Sequence, residues 1–261
     1  MTAFRDRYGP WGFIAGASVG LGESFARALA ARGLNLVLVA RRLEPLEKLA
    51  TELRAAHGIE VRVAAMDLGR PDLEAEIARL STGVDFGLLV YNAAYSVQGP
   101  FLEHPLSAHI QVLDVNCRSP LVLSHLLGGR MATRGKGGIV LMTSIAGSQG
   151  NPLLASYAAS KAFNLVLAES LWGELRGRGV DVIACRAGAT RTPGYESSNP
   201  KGSVPLMEPG PVVEAALKAL GRQPSVVPGL LNKVAAFLFG RLFPRRLSIR
   251  IMGSATARLY G

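Results

Sequence analysis

Residues 11–22 read Trp-Gly-Phe-Ile-Ala-Gly-Ala-Ser-Val-Gly-Leu-Gly, and this stretch decides how the rest of the chain is interpreted. Its first five residues form an apolar run that predicts a short buried β-strand. Three glycines follow, Gly16, Gly20 and Gly22, and a helical pattern begins directly after them. A strand that passes through a glycine-rich turn into a helix predicts the first half of a βαβ unit.

The same alternation of strand and helix continues along the chain. Segments with apolar residues three and four apart predict helices, and they separate short continuous apolar runs that predict strands. Because these runs do not alternate apolar and polar residues, both faces of each strand should be buried. The sequence therefore predicts an α/β fold of the Rossmann type, a doubly wound parallel sheet of about seven strands with helices on both faces. The further strands are expected at residues 34–40, 59–65, 86–91, 138–143, 180–185 and 225–227.

The positive charge is concentrated at the end of the chain. We expect a catalytic domain over residues 1–228 and a C-terminal extension of basic amphipathic helices over residues 229–261. The formal net charge is +10, and no acidic residue follows Glu214. Since the charge elsewhere is nearly balanced, the composition does not indicate nucleic-acid binding. Eight cations follow Glu214, namely Lys218, Arg222, Lys233, Arg241, Arg245, Arg246, Arg250 and Arg258.

Cysteine and histidine usage indicates no metal site. The two cysteines and four histidines lack the spacing of a metal site or of a disulfide framework. We therefore predict no metal and a reducing, cytoplasmic location. No uninterrupted apolar run reaches the roughly 18 residues that a membrane-spanning helix needs.

Polar or glycine residues stand directly after several of the predicted strands. Asp67, Asn92, Ser144 and Gly188 each occupy such a position, as does the glycine turn at residues 16–22. Ligands of parallel sheets bind beyond the carboxyl ends of the strands. The sequence therefore predicts one site along this edge of the sheet.

The glycine turn predicts binding of a dinucleotide. Its spacing, Gly16-x-x-x-Gly20-x-Gly22, allows a tight turn and lets a pyrophosphate approach backbone N–H groups at a helix N-terminus. At the end of the second strand an acid would bind a free ribose 2′-hydroxyl, but the chain has Arg41 and Arg42 there. Two guanidinium groups can pair with a 2′-phosphate, and Ser18 can add a hydroxyl. We therefore predict NADP(H) as the cofactor.

Tyr157, Lys161 and Ser144 are candidates for the chemistry. Tyr157 and Lys161 are four apart and share one helix face. An ammonium beside a phenol favours the phenolate and lowers its pKa, which suits a general acid or base. Ser144 lies thirteen residues before Tyr157 and can hydrogen-bond the same substrate oxygen. The Tyr-x-x-x-Lys pattern alone occurs in many helices, so this assignment depends on the cofactor motifs around it.

Taken in order, these motifs resemble the short-chain dehydrogenase/reductase family, in the branch with subunits of about this length. The match runs from about residue 11 to residue 227. The resemblance implies hydride transfer between the nicotinamide and a carbonyl carbon, and a homodimer or homotetramer paired through the helices at about 106–131 and 156–178. The implied catalytic residues are Asn116, Ser144, Tyr157 and Lys161. The implied cofactor-binding residues are Gly16, Ser18, Gly20, Leu21, Gly22, Arg41, Arg42, Asp67, Leu68, Asn92, Ala93, Ala94, Tyr157, Lys161, Gly188, Thr190 and Thr192.

Within this resemblance each catalytic residue has an implied role. Tyr157 protonates the developing alkoxide, Ser144 orients the carbonyl oxygen, and Asn116 holds a water on the route from Lys161 to solvent. Three residues depart from the family pattern, since Ala15, Ala94 and Ala187 stand where threonine, glycine and proline are common. The threonine hydroxyl helps to tie the glycine turn to the segment after the fourth strand, so that link is expected to be weakened here.

The predicted substrate pocket is mostly apolar. Few polar anchors are present, which favours a small hydrophobic ketone, aldehyde or secondary alcohol, with residues 192–207 as a mobile lid. Alternatives are a membrane-associated lipid or 3-ketoacyl-thioester reductase and a non-catalytic NADP-binding regulator, which the intact catalytic set disfavours. The predicted pocket residues are Tyr95, Gln149, Leu153, Leu154 and Tyr195.

Residues 229–261 allow three interpretations. Their apolar stripes fit surface helices that pack on the domain or on a neighbouring subunit. The flanking cations also fit peripheral attachment to a membrane, or docking of an anionic carrier such as an acyl carrier protein or CoA.

Overall fold

The computed structural model describes residues 2–198, 200–202 and 204–260, and its centre is a seven-stranded sheet. The strands are β1 (Trp11–Ala15), β2 (Asn35–Ala40), β3 (Val61–Ala65), β4 (Phe86–Tyr91), β5 (Gly137–Ser144), β6 (Val180–Ala187) and β7 (Ser225–Val226). Their order is β3-β2-β1-β4-β5-β6-β7, and every pairing is parallel. The predicted doubly wound parallel sheet is confirmed.

Helices cover both faces of the sheet. They are α1 (Thr2–Tyr8), α2 (Gly20–Ala30), α3 (Leu43–His57), α4 (Leu73–Leu80), α5 (Leu106–Leu113), α6 (Ser119–Arg134), α7 (Ala155–Leu175), α8 (Pro193–Glu196), α9 (Pro209–Ala219), α10 (Leu230–Phe237) and α11 (Arg245–Tyr260). Side chains of α2, α3 and α9 belong to one core cluster, and those of α4, α6 and α7 belong to the other.

The inner strands are buried on both faces because their successive side chains enter different clusters, whereas the edge strands β3 and β7 are only partly buried, contrary to the prediction for every strand. Ile14 of β1 packs with α2 and α3, whereas its neighbour Phe13 packs with α4 and α6. All six residues of β4 are buried as well. Burying an aliphatic or aromatic side chain contributes about 1.5–3 kcal/mol, so these continuous apolar runs can stabilise a sheet only between two helical layers.

Two local features differ from the helices predicted from the sequence. The helix expected at about 106–131 is interrupted by a π-helical turn, Asp114–Arg118, which joins α5 to α6. Helix α1 was not predicted from the sequence. That helix is anchored where β6 begins, opposite the carboxyl ends of the strands. Tyr8 Oη donates a 2.8 Å hydrogen bond to Asp181 Oδ2, and Arg7 pairs with the same carboxylate.

The last two helices pack on the domain mainly through small and polar residues. Ala236, Ser248 and Thr256 are buried, whereas Leu230 and Leu231 are 77% and 72% exposed. The apolar stripe of α10 therefore lies largely outside the core, contrary to what the simplest interpretation of its sequence predicts. Within the described part of the chain, no helix combines the length and apolarity needed to cross a bilayer.

Candidate active site

The strand order brings the predicted site residues to one edge of the sheet. β1, β4, β5 and β6 are consecutive neighbours, and all strands run in the same direction. The glycine turn, Asn92, Ser144 and Gly188 therefore stand at the carboxyl ends of adjacent strands. This is the edge at which parallel sheets bind ligands.

Steric constraints explain the three glycines of the turn. Gly16 has φ +81° and Gly20 has φ +63°, in the left-handed region that favours glycine. A Cβ at Gly16 would lie 2.7 Å from the backbone of Ala93, and one at Gly22 would collide with the Gly16 carbonyl. No side chain caps the N-terminus of α2, so its first N–H groups are free to face an anion. This cradle fits the pyrophosphate of a dinucleotide.

The glycine turn is firmly tied to β4 although Ala15 lacks a hydroxyl. Asn92 Nδ2 donates to the Gly16 carbonyl at 2.9 Å. The backbone N–H groups of Asn92 and Ala93 donate to the Ala15 carbonyl at 3.0 and 2.9 Å. These three hydrogen bonds join the glycine turn to the segment after β4 without a hydroxyl at residue 15, and the expected weakening of the link stays a prediction.

Arg41 and Arg42 lie between β2 and α3 and are exposed. Among the described residues neither side chain has a hydrogen bond or an ion pair, so both guanidinium groups can meet an anion. The half-buried Ser18 belongs to the loop that precedes α2. These residues fit a 2′-phosphate beside the glycine turn.

Two hydrogen bonds between side chains and backbone groups fix the segment after β3. The exposed Asp67 accepts a 2.9 Å hydrogen bond from the Gly69 N–H through Oδ1. Leu68 is buried, and its carbonyl accepts a hydrogen bond from the Ser119 hydroxyl at the start of α6.

Ser144, Tyr157 and Lys161 come together where β5 ends and α7 begins. Ser144 Oγ accepts a 3.1 Å hydrogen bond from the Ala146 N–H, which starts a short 3₁₀ turn. Lys161 Nζ is buried, donates to the Met142 carbonyl at 3.0 Å, and lies 5.5 Å from the centroid of the Tyr157 ring. The helix thus places the phenol and the ammonium one turn apart, as its spacing predicts.

The environment changes the pKa values of Tyr157 and Lys161. Burial lowers the pKa of Lys161 to about 8. Burial raises the pKa of Tyr157 above its ordinary value, and a hydrogen bond with Ser144 opposes this. The net shift of the tyrosine pKa is opposite to the expected one because desolvation of the phenolate dominates. Tyr157 is therefore a protonated acid at neutral pH in this state.

Asn116 lies in the π-helical turn and is fully buried. Its side chain accepts from the Tyr95 N–H at 2.8 Å and donates to the Tyr95 carbonyl and to Ser160 Oγ, both at 2.9 Å. Ser160 in turn donates to the Tyr157 carbonyl at 2.7 Å. The asparagine therefore links the cofactor-side loop to the catalytic helix, and this use of its amide was not apparent from the sequence.

The carbonyl of Asn116 has a partner of its own. Asn164 Nδ2 donates to it at 2.8 Å, and Asn164 Oδ1 is buried without a partner among the described residues. The side chain of Asn116 is thus committed to protein contacts. The water expected between Asn116 and Lys161 stays a prediction.

The loop after β6 folds back over the glycine turn. Thr190 Oγ1 donates to the Gly188 carbonyl at 3.1 Å, and Thr190 forms a β-bridge with Met207. Thr192 Oγ1 accepts from the Tyr195 N–H at 3.2 Å and so begins α8. Gly20 allows this approach, since a Cβ there would lie 2.9 Å from the Thr192 side chain. The loop predicted as a lid therefore contains a short helix that covers the cofactor cradle.

The predicted substrate residues divide into two groups. Tyr95, Leu154 and Tyr195 are half-buried, and so is Leu153, which adopts φ +65° while its carbonyl accepts from the Gly99 N–H. Gln149 instead lines a cavity of about 410 Å³ between α7 and α11, and no catalytic residue lines that cavity. The role of Gln149 in substrate binding stays a prediction.

Tyr260, at the end of α11, was not among the site residues predicted from the sequence. Burial is the largest cause of the raised pKa values of Tyr157 and Tyr195, and an electrostatic interaction with Tyr260 adds to both. The Ser198 hydroxyl lies 3.5 Å from the Tyr260 hydroxyl. One turn earlier in the helix, Thr256 Oγ1 donates a buried 2.7 Å hydrogen bond to Asn151 Oδ1. The C-terminal helix therefore packs on the loop that precedes Tyr157, the predicted catalytic acid.

Comparison with known proteins supports the family resemblance. The family model "short chain dehydrogenase" matches residues 11–202. A 7beta-hydroxysteroid dehydrogenase from Collinsella aerofaciens is 32% identical, over 96% of this chain and 97% of that protein. A very-long-chain 3-oxoacyl-CoA reductase from Phaeosphaeria nodorum is 35% identical, over 85% of this chain and 66% of that protein.

Solved structures give the same result. One, from a study of 7beta-hydroxysteroid dehydrogenase stereoselectivity, superposes with a TM-score of 0.90 at 32% identity and covers 95% of this chain and 98% of that chain. A bulky-bulky ketone specific alcohol dehydrogenase from Comamonas testosteroni has a TM-score of 0.77 at 30% identity, covering 90% and 96%. A short-chain dehydrogenase from Sphingobium yanoikuyae in complex with NADPH has a TM-score of 0.77 at 32% identity, covering 84% and 87%. The chain therefore belongs to the short-chain dehydrogenase/reductase family, and it is an oxidoreductase that acts on CH–OH and C=O groups.

Proposed function

We propose that this protein is an NADP(H)-dependent oxidoreductase that interconverts a bulky hydrophobic ketone and the corresponding secondary alcohol, with Tyr157 as general acid and base. The observation that carries the proposal is the meeting of Ser144, Tyr157 and the buried ammonium of Lys161 at the carboxyl end of β5. This arrangement stands beside the glycine cradle that fits a dinucleotide.

In this mechanism the bound cofactor supplies or accepts a hydride at the nicotinamide ring. Ser144 Oγ holds the substrate oxygen by a hydrogen bond. Tyr157 donates its phenolic proton to that oxygen during reduction and removes it during oxidation. Lys161 stabilises the phenolate that forms, because its ammonium lies in a buried environment where charge interactions are strong.

The proposed preference for NADP(H) depends on Arg41 and Arg42. Both guanidinium groups are exposed and without a partner among the described residues, at the end of the strand where the adenosine ribose is expected. The related Sphingobium enzyme was solved with NADPH. In the proposed complex Asp67 and Leu68 lie along the adenine, and Asn92 to Ala94 line the cofactor after β4. Gly188, Thr190 and Thr192 meet the nicotinamide end.

The proposed substrate class follows from the side chains around the phenol. Leu153, Leu154, Tyr95 and Tyr195 provide apolar and aromatic surface, and α11 adds Tyr260. Two relatives act, by name, on hydroxysteroids and on ketones with two bulky substituents. A rigid ketone of ketosteroid size is therefore the first substrate to test. In this proposal residues 229–261 are an extension of the 1–228 domain that closes the substrate side of the site.

The test is a substrate panel followed by the absorbance of NADPH. The panel contains a ketosteroid, an aryl ketone with two bulky substituents, a long-chain 3-oxoacyl thioester and a small aliphatic ketone. We expect turnover of the first two and little of the last, with Tyr157→Phe as the inactive control. Absence of turnover with every carbonyl, in either direction and with either coenzyme, would contradict the proposed activity.

One relative favours the thioester as a second candidate substrate. The Phaeosphaeria protein is named a very-long-chain 3-oxoacyl-CoA reductase. Preferential turnover of the 3-oxoacyl thioester in the same panel would select this alternative. A non-catalytic NADP-binding regulator is disfavoured because the complete set of Asn116, Ser144, Tyr157 and Lys161 is present.

We also propose that the protein is a homodimer or homotetramer in the cytoplasm. Phe163 and Val166 are exposed on α7, one of the two helices expected to pair between subunits. Light scattering on the purified protein measures the oligomeric state, and Val166→Glu is expected to lower it. A monomer at all concentrations would contradict this part.

Peripheral contact with a membrane is a separate proposal for α10. Its exposed Leu230 and Leu231 adjoin Lys233, a combination that suits an anionic bilayer surface. Co-sedimentation with anionic vesicles, compared between the native chain and a Leu230→Ser, Leu231→Ser double variant, tests it. Equal sedimentation of the two would contradict it.

A further inference from the structure

A second cavity lies away from the catalytic residues, between α7, the β6–β7 edge of the sheet and α10. Its volume is about 600 Å³, within the range of small-molecule binding sites. Its walls include Arg186, Lys233, Arg241 and Arg245, and they include no aspartate or glutamate. The cavity adjoins the 3₁₀ turn after Ser144, but none of the four predicted catalytic residues lines it.

Arg186 is the most constrained of these cations. It projects from β6, is half-buried, and donates through Nη2 to Ser148 Oγ at 2.6 Å. Its Nε is buried and has no hydrogen-bond partner among the described residues. Burial lowers the pKa of this guanidinium and the nearby Arg241 adds to the effect, whereas Glu169 opposes it. An arginine nitrogen that is buried without an acceptor is costly, and an oxygen of a bound ligand would satisfy it.

Among the described residues, the side chains of Lys233, Arg241 and Arg245 make no hydrogen bond or ion pair. They belong to the part of the chain that contains no acid after Glu214. Gathering like charges around one cavity is unfavourable unless an anion joins them. Guanidinium forks match the paired oxygens of phosphate and carboxylate groups, and four cations suit a doubly charged head better than a singly charged one.

The remaining walls of the cavity are largely apolar. Leu165 and Val166 of α7 form one side, and Ala236 and Phe237 of α10 form the other. Such walls suit the hydrocarbon part of a ligand whose charged end lies among the cations. We propose that this cavity is a binding site for a phosphate monoester that carries an apolar chain.

This site is distinct from the proposed cofactor site. Arg41 follows β2, whereas Arg186 is on β6, four positions away in the strand order. At the usual spacing of neighbouring strands the two are about 19 Å apart. The proposal therefore does not depend on the coenzyme or on the reaction, and its test can fail or succeed independently of them.

Calorimetric titration of the full-length protein tests the site with inorganic phosphate, decyl phosphate below its micelle concentration, and decanol. The same titrations are repeated with saturating NADP⁺ and with Arg41→Ser, which together remove any contribution of the cofactor site. We expect saturable binding of decyl phosphate, at least about tenfold tighter than inorganic phosphate because the chain is buried, and no binding of decanol.

Substitutions of the cavity cations test whether decyl phosphate binds in this cavity. Arg186→Gln and Arg241→Gln should each weaken decyl phosphate at least about tenfold, since a charge-assisted hydrogen bond is lost. Arg241→Gln keeps the test decisive if Arg186→Gln disturbs the sheet, because Arg241 is exposed on the tail. The matched control is Arg246→Gln, an exposed tail cation that does not line the cavity. It should leave the affinity unchanged.

Three results would overturn the proposal. The first is the absence of saturable binding of decyl phosphate by the native chain. The second is an equal loss in Arg246→Gln, which would indicate diffuse attraction to the basic tail. The third is a changed oligomeric state in Arg241→Gln without phosphate binding, which would assign these cations to a subunit contact.

Competition by vesicles distinguishes a soluble phosphate ester from a lipid headgroup as the natural ligand. If decyl phosphate binds and vesicles containing phosphatidic acid do not compete with it, the natural ligand is a soluble ester. If the vesicles compete and Arg186→Gln abolishes the competition, the same pocket takes a lipid headgroup. Either result supports a phosphate site in this cavity.

Discussion

Thr256 of the C-terminal helix donates a buried hydrogen bond of 2.7 Å to Asn151, which lies in the loop between Ser144 and Tyr157. The two residues are 105 positions apart in the chain. This bond fixes α11 against the loop that precedes Tyr157, and the helix then continues to Tyr260, which interacts electrostatically with the Tyr157 phenol. The tail is thus part of the architecture of the site, although its sequence resembles a basic appendage.

Replacing Thr256 by valine should destabilise the protein. The substitution keeps the shape of the side chain but leaves the buried Asn151 oxygen without its donor, at a cost of about 1–3 kcal/mol. Chemical denaturation measures the free energy of unfolding, and amide exchange should show weaker protection of residues 149–154. The control is Ser254→Ala, an exposed position on the same helix that should change stability little. Equal stability of Thr256→Val and the native protein would show that the bond does not hold the helix.

Tyr260→Phe should alter the pH dependence of catalysis. Burial is the main cause of the raised pKa of Tyr157, and the Tyr260 hydroxyl adds to it. Removing it should lower that pKa, so the alkaline fall in kcat/KM for ketone reduction should begin at a lower pH. The control is Ser254→Ala, an exposed position on the same helix that should leave the pH profile unchanged. Identical pH profiles for the native enzyme and Tyr260→Phe would separate Tyr260 from the catalytic acid.

The sheet and its ligand edge could be predicted because they depend on local pattern. The continuous apolar runs fix the strands, and parallel topology then gathers the strand ends without further information. The site glycines were likewise predictable, since Gly16 and Gly22 allow backbone contacts that a Cβ would block. The tail contacts could not be predicted, because nothing in the sequence near Thr256 and Tyr260 identifies Asn151 and Tyr157 as their partners.

The π-helical turn and the pKa of Tyr157 were missed for different physical reasons. One extra residue in a helical turn leaves the apolar spacing of α5 and α6 nearly intact, so the turn at Asp114–Arg118 has no clear sequence signal. The direction of the Tyr157 shift depends on burial, which a four-residue spacing to Lys161 does not reveal.

Changing Arg41 to aspartate should reverse the coenzyme preference. A carboxylate repels the 2′-phosphate of NADPH but can accept hydrogen bonds from the free ribose hydroxyls of NADH. We expect kcat/KM with NADPH to fall at least about tenfold while that with NADH is kept or rises. Steady-state kinetics with both coenzymes measure this, and Lys48→Asp, at an exposed cation on α3, is the control. An unchanged ratio would contradict the proposed contact with the 2′-phosphate.

Tyr157→Phe should abolish turnover and preserve cofactor binding. The ring remains to pack in the site, and only the hydroxyl that carries the proton is lost. General acid–base groups contribute roughly 10²–10⁴-fold to rate, so the residual activity should fall by at least that range. Fluorescence titration with NADPH should give a dissociation constant close to that of the native enzyme. Retained turnover in this variant would remove Tyr157 from the proposed mechanism.

Lys161 makes stability depend on pH in a predictable direction. Its pKa is about 8 in the folded protein and close to its ordinary 10.5 when the chain is unfolded. Between these values the unfolded chain binds more protons, so this lysine makes the free energy of unfolding rise with pH from about 8 to about 10. At about 1.4 kcal/mol per pKa unit, the whole contribution is about 3 kcal/mol.

Lys161→Met should remove this rise. Denaturation measured at intervals from pH 7 to pH 10 should show the native protein gaining stability relative to the methionine variant across that window. The difference between the two proteins isolates the lysine, because the other titrating groups are common to both. Parallel curves would mean that Lys161 keeps an ordinary pKa in the folded state, and its buried bond to the Met142 carbonyl would then have to offset the desolvation of the ammonium.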